Sequence, residues 1–349
     1  MRRPRVATLL AATLLLAAAV PLAGCGNGAA SGGGDPQRKS IRLAYQAFPS
    51  GDLIVKNQRL LEAALPDYTI TWTKFDSGAS INTAFAAGSV DIAAIGSSPV
   101  ARGLSAPLNL PYRVAFVLDV AGDNEALVAR NGANVASITD LRGKKIGTPF
   151  ASTAHFSLLA ALERAGVKES EVTLVDLEPQ DILAAWTRGD LDAAYSWLPS
   201  LDDLKKSGKV LVTSRELAAA GKPTLDLGVV SSAFADAHPE AVDAWRRAEA
   251  KALDLIASDP TAAATAVGRE LNLDAAAAQH QLSQGVFLKP ADLSSPEWLG
   301  SPEKVGALAD NLYNAAVFLK AQKKIDAIPD RSVFEAAIYT KGLPSVLQP

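Results

Sequence analysis

Hydroxyl side chains stand where three helices are expected to begin, each directly after a β-like run. Asp76-Ser77-Gly78-Ala79-Ser80 precedes a helical pattern over Ile81 to Ala87. Gly96-Ser97-Ser98-Pro99 turns out of Asp91 to Ile95, and Ala151-Ser152-Thr153-Ala154-His155 follows Lys144 to Thr148. The first turn of a helix leaves backbone N–H groups without partners inside the helix, at the positive end of its dipole. A Ser or Thr hydroxyl placed there adds a further donor, and together these groups hold an anion. Helix starts at Ser77, Ser98 and Thr153, all at strand ends, are expected to share one anion site. This is binding chemistry with no evident catalysis.

The elements that position these turns alternate between β-like and helical patterns, which predicts an α/β fold with mainly parallel sheets and flanking helices. In a first block, Ile41 to Tyr45, Thr69 to Phe75, Asp91 to Ile95 and Val114 to Leu118 read as strands, and Leu53 to Leu65 as a helix ended by Pro66. A second block repeats the plan with Lys144 to Thr148, Val172 to Leu177, Ala193 to Trp197 and Lys209 to Thr213. Glu125 to Arg130 and Leu225 to Ser231 enter and leave that second block and read as paired hinge strands. After Phe234 helical signals dominate, over Pro239 to Ala257, Pro260 to Leu271, Asp274 to Gln284 and Pro302 to Lys323, and this tail is expected to complete the first lobe. The expected layout is residues 40–130 with 224–349 in one lobe and 131–223 in the other. A cleft forms at the carboxyl ends of their strands.

The amino-terminal segment reads differently. Arg2, Arg3 and Arg5 precede the nearly wholly apolar stretch Ala7 to Ala19, and Leu22-Ala23-Gly24-Cys25 follows, a secretory signal over 1–24 too short to remain as a membrane span. Leu-Ala-Gly-Cys at this position resembles the bacterial lipobox, which implies lipidation of Cys25. Residues 25–39, rich in Gly, Ser and Ala, read as a flexible tether. Cys25 is the single cysteine of the 349-residue chain, so its assignment to an anchor leaves no thiol for a disulfide or for catalysis in the body. Loss of the three signal arginines takes the formal charge from −3 to about −6, which gives no basic face for nucleic acid.

Enzyme readings fail on inventory. The chain has no Gly-x-Ser-x-Gly elbow, P-loop or dinucleotide fingerprint. Its three histidines, His155, His238 and His280, have no metal-ligand spacing, so no metal and no cofactor is expected. His238 and His280 lie on polar helical stretches. His155 sits in a first helical turn, where the dipole disfavours the imidazolium, and reads as a neutral hydrogen-bonding or packing group rather than a general base.

Several motifs occur together and in order: Phe75-Asp76-Ser77-Gly78-Ala79-Ser80, Gly96-Ser97-Ser98-Pro99, Glu125-Ala126-Leu127-Val128, Pro149 to Leu159, Ala184 to Asp190, Ala194-Tyr195-Ser196-Trp197 and Pro223-Thr224-Leu225-Asp226. In this set the chain, from Ile41 to its end, resembles the taurine-binding proteins of ABC importers, within a wider group of alkanesulfonate, nitrate and pyrimidine-precursor binders. The stretch Pro260 to Pro296 departs from that pattern. The resemblance implies a two-lobed periplasmic-binding-protein fold of type II and a monomeric, exported, lipid-anchored solute binder. Its partners would be taurine or a similar small sulfonate, and a permease with its ATPase. It further implies Ser77, Ser97, Ser98, Ser152 and Thr153, with Gln46, toward the sulfonate, His155 near the same turn, and Glu125 and Asp226 toward the ammonium with Trp197 capping it. The alternatives are another aliphatic sulfonate or small anion as ligand and, more remotely, an enzyme like the pyrimidine-precursor synthases that share the fold.

Overall fold

The structure is a computed structural model that describes residues 39–347; the signal, Cys25 and nearly all of the tether lie outside the described residues. The first sheet contains β1 (Lys39–Gln46), β2 (Tyr68–Phe75), β3 (Ile92–Gly96) and β4 (Tyr112–Val120). The second contains β5 (Glu125–Arg130), β6 (Lys145–Thr148), β7 (Thr173–Asp176), β8 (Ala193–Trp197) and β9 (Gly208–Thr213), and β10 (Leu225–Ser231) returns to the first. The strand orders are β2-β1-β3-β10-β4 and β7-β6-β8-β5-β9. β1 pairs in parallel with β2 and β3, and β6 with β7 and β8, whereas β10 and β5 run antiparallel to both of their neighbours. The two sheets thus share one plan, each with its reversed strand in fourth place.

This corrects the expectation of paired hinge strands. β5 and β10 do not pair with each other; each is an interior strand of the sheet the chain has just entered. The crossings are the segment 121–124 and the stretch from the end of β9 to Leu225, which includes the helix Ser214–Ala219. β5, expected with the first block, belongs to the second sheet. Its alternate residues serve opposite faces, as a strand covered on both sides must: Leu127 joins one apolar cluster, and Ala126 and Val128 join another.

Chain conformation explains a second departure. The helix expected over Leu53 to Leu65 is broken into Gly51–Asn57 and Leu60–Ala64 at Arg59, whose φ of 54° is incompatible with a continuous right-handed helix. The carboxyl-terminal helices Pro239–Ser258, Pro260–Leu271 and Leu308–Ala321 supply Trp245, Leu253, Val267, Leu312 and Leu319 to the core built on the first sheet. Arg246, with no exposed surface, ties helix 239–258 to its surroundings. Its guanidinium donates to the carbonyls of Ala115 (2.9 Å), Lys341 (2.7 Å) and Tyr339, and lies 4.6 Å from the centre of the Tyr339 ring.

The lobes also meet directly. Phe156 of helix Thr153–Arg164 packs against Phe318 of helix Leu308–Ala321 with ring centres 4.5 Å apart, and the Lys324 ammonium lies 4.2 Å from the Phe150 ring centre. Among the described residues no helix is long and apolar enough to cross a membrane.

Candidate functional site

Close packing at the carboxyl ends of the strands leaves room only for glycine at two positions, one across the gap between the sheets and one within the first lobe. A β-carbon on Gly96, the last residue of β3, would lie 2.8 Å from Thr153 Cγ2 across the gap, and one on Gly78 would lie 2.5 Å from Pro99. Between these turns is a pocket whose wall includes Gln46, Gly78, Gly96, Glu125, Ser152, Thr153, Trp197 and Asp226. It encloses about 480 Å³ of atom-free space, part of it open solvent at the mouth. Phe48, Pro49 and Asn124 also line it.

Six of the ten expected side chains therefore meet at one pocket: Gln46, Glu125, Ser152, Thr153, Trp197 and Asp226. The other four do not line it. Ser77 caps the helix Gly78–Ala86 through Ser80 N and donates its hydroxyl to Glu178 Oε1 at 2.9 Å. Ser97 accepts the Leu225 N–H at 3.1 Å, Ser98 donates to Ala151 O at 3.4 Å, and both border a separate crevice beside helix 308–321. Ser98 is not a helix cap either, since the helix starts at Ser97 after Gly96. His155 is buried, accepts the Ala151 N–H at 3.1 Å through Nδ1 and stacks on Phe150 at 4.6 Å. Burial first, then the nearby Lys324, lowers its pKa to about 4, so the ring is neutral.

Glu125 opens β5 directly opposite Trp197, so both side chains leave the sheet at the same end. Its carboxylate is buried and ringed by hydroxyls: Thr153 donates to Oε2 at 2.5 Å, and Ser214, Ser157 and Thr224 donate to Oε1 at 2.6, 3.3 and 3.5 Å. Burial raises its pKa, and these hydroxyls oppose the rise. They come from the second lobe and from the second crossing, so Glu125, which follows the first crossing directly, fastens the base of the cleft as well as lining it.

Asp226 has a different environment. Standing in β10 between Gly96 of β3 and Asp119 of β4, it faces the pocket with no cationic partner among the described residues. Burial and the charge of Glu125 push its pKa up to about 7. Asp119 is fully buried, neither of its oxygens meets a donor, and its pKa is raised well above the carboxylate range, first by burial and then by Asp226. Asp119 escaped the sequence reading. Its signal is a lone acid in the apolar run Phe116-Val117-Leu118-Asp119-Val120. Asn124, also missed, lies in the first crossing, where Gly122 N donates to its Oδ1 at 2.6 Å.

Two sheets of one plan, joined by two crossings over a polar cleft, define the fold of the two-lobed extracytoplasmic solute-binding proteins. The structure resembles the alkanesulfonate-binding protein of Xanthomonas axonopodis pv. citri bound to MOPS, with a TM-score of 0.72 at 22% identity over 86% of this chain and 98% of that one. The chain belongs to the NMT1/THI5-like family, whose model matches residues 75–263. It is 36% identical to the taurine-binding periplasmic protein of Escherichia coli (strain K12) over 84% of this chain and 89% of that protein. The same fold carries catalysis elsewhere: the desulfurization enzyme DSZB superposes with a TM-score of 0.62 at 15% identity, over 89% of this chain and 99% of that one. The fold alone therefore does not decide between capture and chemistry.

Proposed function

We propose that this chain is an extracytoplasmic solute-binding lipoprotein of an ABC importer, anchored through a lipid on Cys25, which captures taurine between its lobes and delivers it to a permease served by an ATPase. The observation that carries the ligand is one pocket lined both by an acid without a cationic partner and by the start of a helix. Asp226, with no cationic partner among the described residues, lines it together with Gln46 and the helix start at Ser152 and Thr153. Taurine bears an ammonium and a sulfonate two carbons apart, and fits that pair of features. Asp226 accepts from the ammonium, Glu125 adds its charge at the base, and the Trp197 face covers the cation, a contact worth about 0.5 to 2 kcal/mol. Ser152 donates its own hydroxyl to Pro149 O at 2.6 Å and Thr153 to Glu125, so the sulfonate is held through the first N–H groups of the 12-residue helix Thr153–Arg164.

Capture without chemistry is the favoured reading, because the residues that could react are placed elsewhere. The described residues contain no cysteine, and the neutral His155 ring is packed on Phe150 outside the pocket wall. Calorimetry of the purified protein with taurine and with ethanesulfonate tests the ligand. Strong 1:1 binding of taurine with much weaker ethanesulfonate is expected, and Asp226→Asn should erase the difference by weakening taurine. Equal affinity of the wild type for both would move the ligand to amine-free sulfonates and leave Asp226 without the proposed role.

A further inference from the structure

Asp226 and Asp119 are Cα partners in the β10–β4 pairing, so their side chains leave the sheet on the same face. The two carboxyl groups are close enough that each shifts the pKa of the other. Asp226 lines the pocket, and Asp119 stands behind it with no exposed surface and no donor to either oxygen. Two carboxylates that close cannot both ionise unless a proton or a cation stands between them.

Among the described residues, the surrounding elements supply no such cation. Asp52 from helix 51–57 and Glu125 from β5 turn more negative charge toward the pair, and Glu249 of helix 239–258 acts on Asp52 from behind. β3 contributes only Gly96 at this level. Arg246 of helix 239–258 is engaged by three carbonyls, and Lys56 of helix 51–57 is paired with Glu270.

We infer that Asp119 is the positioning residue of the ammonium subsite: it shares one proton with Asp226 in the ligand-free pocket, and an entering ligand ammonium takes the place of that proton, which leaves to solvent. This rests on the reading of Asp226 as the acceptor of the ammonium. The charges balance, since the pair goes from one negative charge to two as one positive charge enters, and no bond within the ligand is made or broken. A sulfonate without an amine leaves the proton in place. Asp119 thereby makes the pocket discriminate by charge, and taurine affinity should rise by up to about tenfold per pH unit wherever the pair still holds its proton.

The test is calorimetry of the whole protein near about pH 6 in buffers of different ionisation enthalpy, which counts the protons exchanged on binding. Wild type should release close to one proton with taurine and none with ethanesulfonate. Asp119→Asn keeps the shape and offers Asp226 an amide donor, so it should bind taurine with no proton release and with an affinity flat from about pH 5.5 to 7.5. Retention of the wild-type proton count and pH slope by Asp119→Asn would overturn the proposal while leaving Asp226 as the ammonium acceptor. Failure of that underlying reading looks different: wild type would bind taurine and ethanesulfonate alike with no proton released.

A second measurement needs no variant. Infrared difference spectra of wild type should lose a protonated-carboxyl band on addition of taurine and keep it with ethanesulfonate. Persistence of that band under saturating taurine overturns the exchange.

Discussion

Ser77 and Glu178 join the two lobes across the cleft: the Ser77 hydroxyl, just past the end of β2, donates at 2.9 Å to Glu178 Oε1, just past the end of β7. The sequence reading places Ser77 toward a ligand anion, and in the structure its hydroxyl instead reaches the opposite lobe. Glu178 sits among Asp76, Asp176 and Asp181, and burial with these acids raises its pKa despite the Ser77 donor. The contact ties the two lobes to each other directly across the cleft.

Replacing Glu178 by Ala should remove a hydrogen bond worth about 0.5 to 1.5 kcal/mol, a factor of roughly 2 to 12. Because the bond exists only when the lobes meet, the loss should fall on the rate of taurine release rather than on association. Stopped-flow displacement checks this. An unchanged release rate would mean that the contact does not hold the lobes together.

Gly96→Ala adds a β-carbon 2.8 Å from Thr153 Cγ2, a separation real β-carbons avoid. The two atoms belong to different lobes, so the strain is relieved by parting them. Taurine affinity should drop at least tenfold while the thermal midpoint of the free protein barely moves, and small-angle scattering should show no compaction on ligand addition. Normal compaction would place the point of closure elsewhere.

Arg246→Met leaves three buried carbonyls without their donor, although it also removes a buried charge whose pKa burial depresses to about 10. Breaking such a buried set costs on the order of 3 kcal/mol. Chemical denaturation should show that loss with little change in taurine affinity, since Arg246 does not line the pocket. A loss under about 0.5 kcal/mol would show that methionine packing compensates.

The pH dependence of stability has a definite sign. Asp226 and Asp52, pushed up to about 7 and about 6 chiefly by burial, keep protons in the folded state that unfolded carboxyls release near pH 4. Between those limits the folded state binds more protons than the unfolded one, so stability falls as pH rises. His155, lowered to about 4, acts in the opposite sense up to its unfolded value near 6.5. The carboxyls outnumber it, and Asp119 and Glu249 are raised as well. The thermal midpoint of the ligand-free protein should therefore decline from about pH 5 to 7.5, and saturating taurine should flatten that decline. Calorimetric scans that show a rising midpoint over this range would contradict the buried, proton-sharing acids.

Local patterns made most of the elements legible. The strands, the capped helix after Ser77 and the glycine stop at Gly88, which has a φ of 65°, all follow from neighbouring residues. The break at Arg59 was not legible, because nothing in Leu60 or Leu61 opposes a helix and only packing bends the chain there. Of the site, the acids at the starts of β5 and β10 and the helix start at Ser152 could be found, since each ends or begins an element. Ser97, Ser98 and His155 look equivalent to Ser152 and Thr153 in sequence, and only their placement against Leu225, Ala151 and Phe150, off the pocket wall, separates them.

The sequence by itself determined the alternation of strands and helices, the polar turns at strand ends, the single cysteine and the order of motifs shared with its family, because periodicity, capping and composition act over a few residues. Only the tertiary structure decided that β5 and β10 lie inside opposite sheets, that Ser77 reaches Glu178 and that Asp119 stands behind Asp226. These are pairings between residues about a hundred positions apart. Which strands become neighbours depends on how whole sheets bury their faces, and no local pattern encodes it.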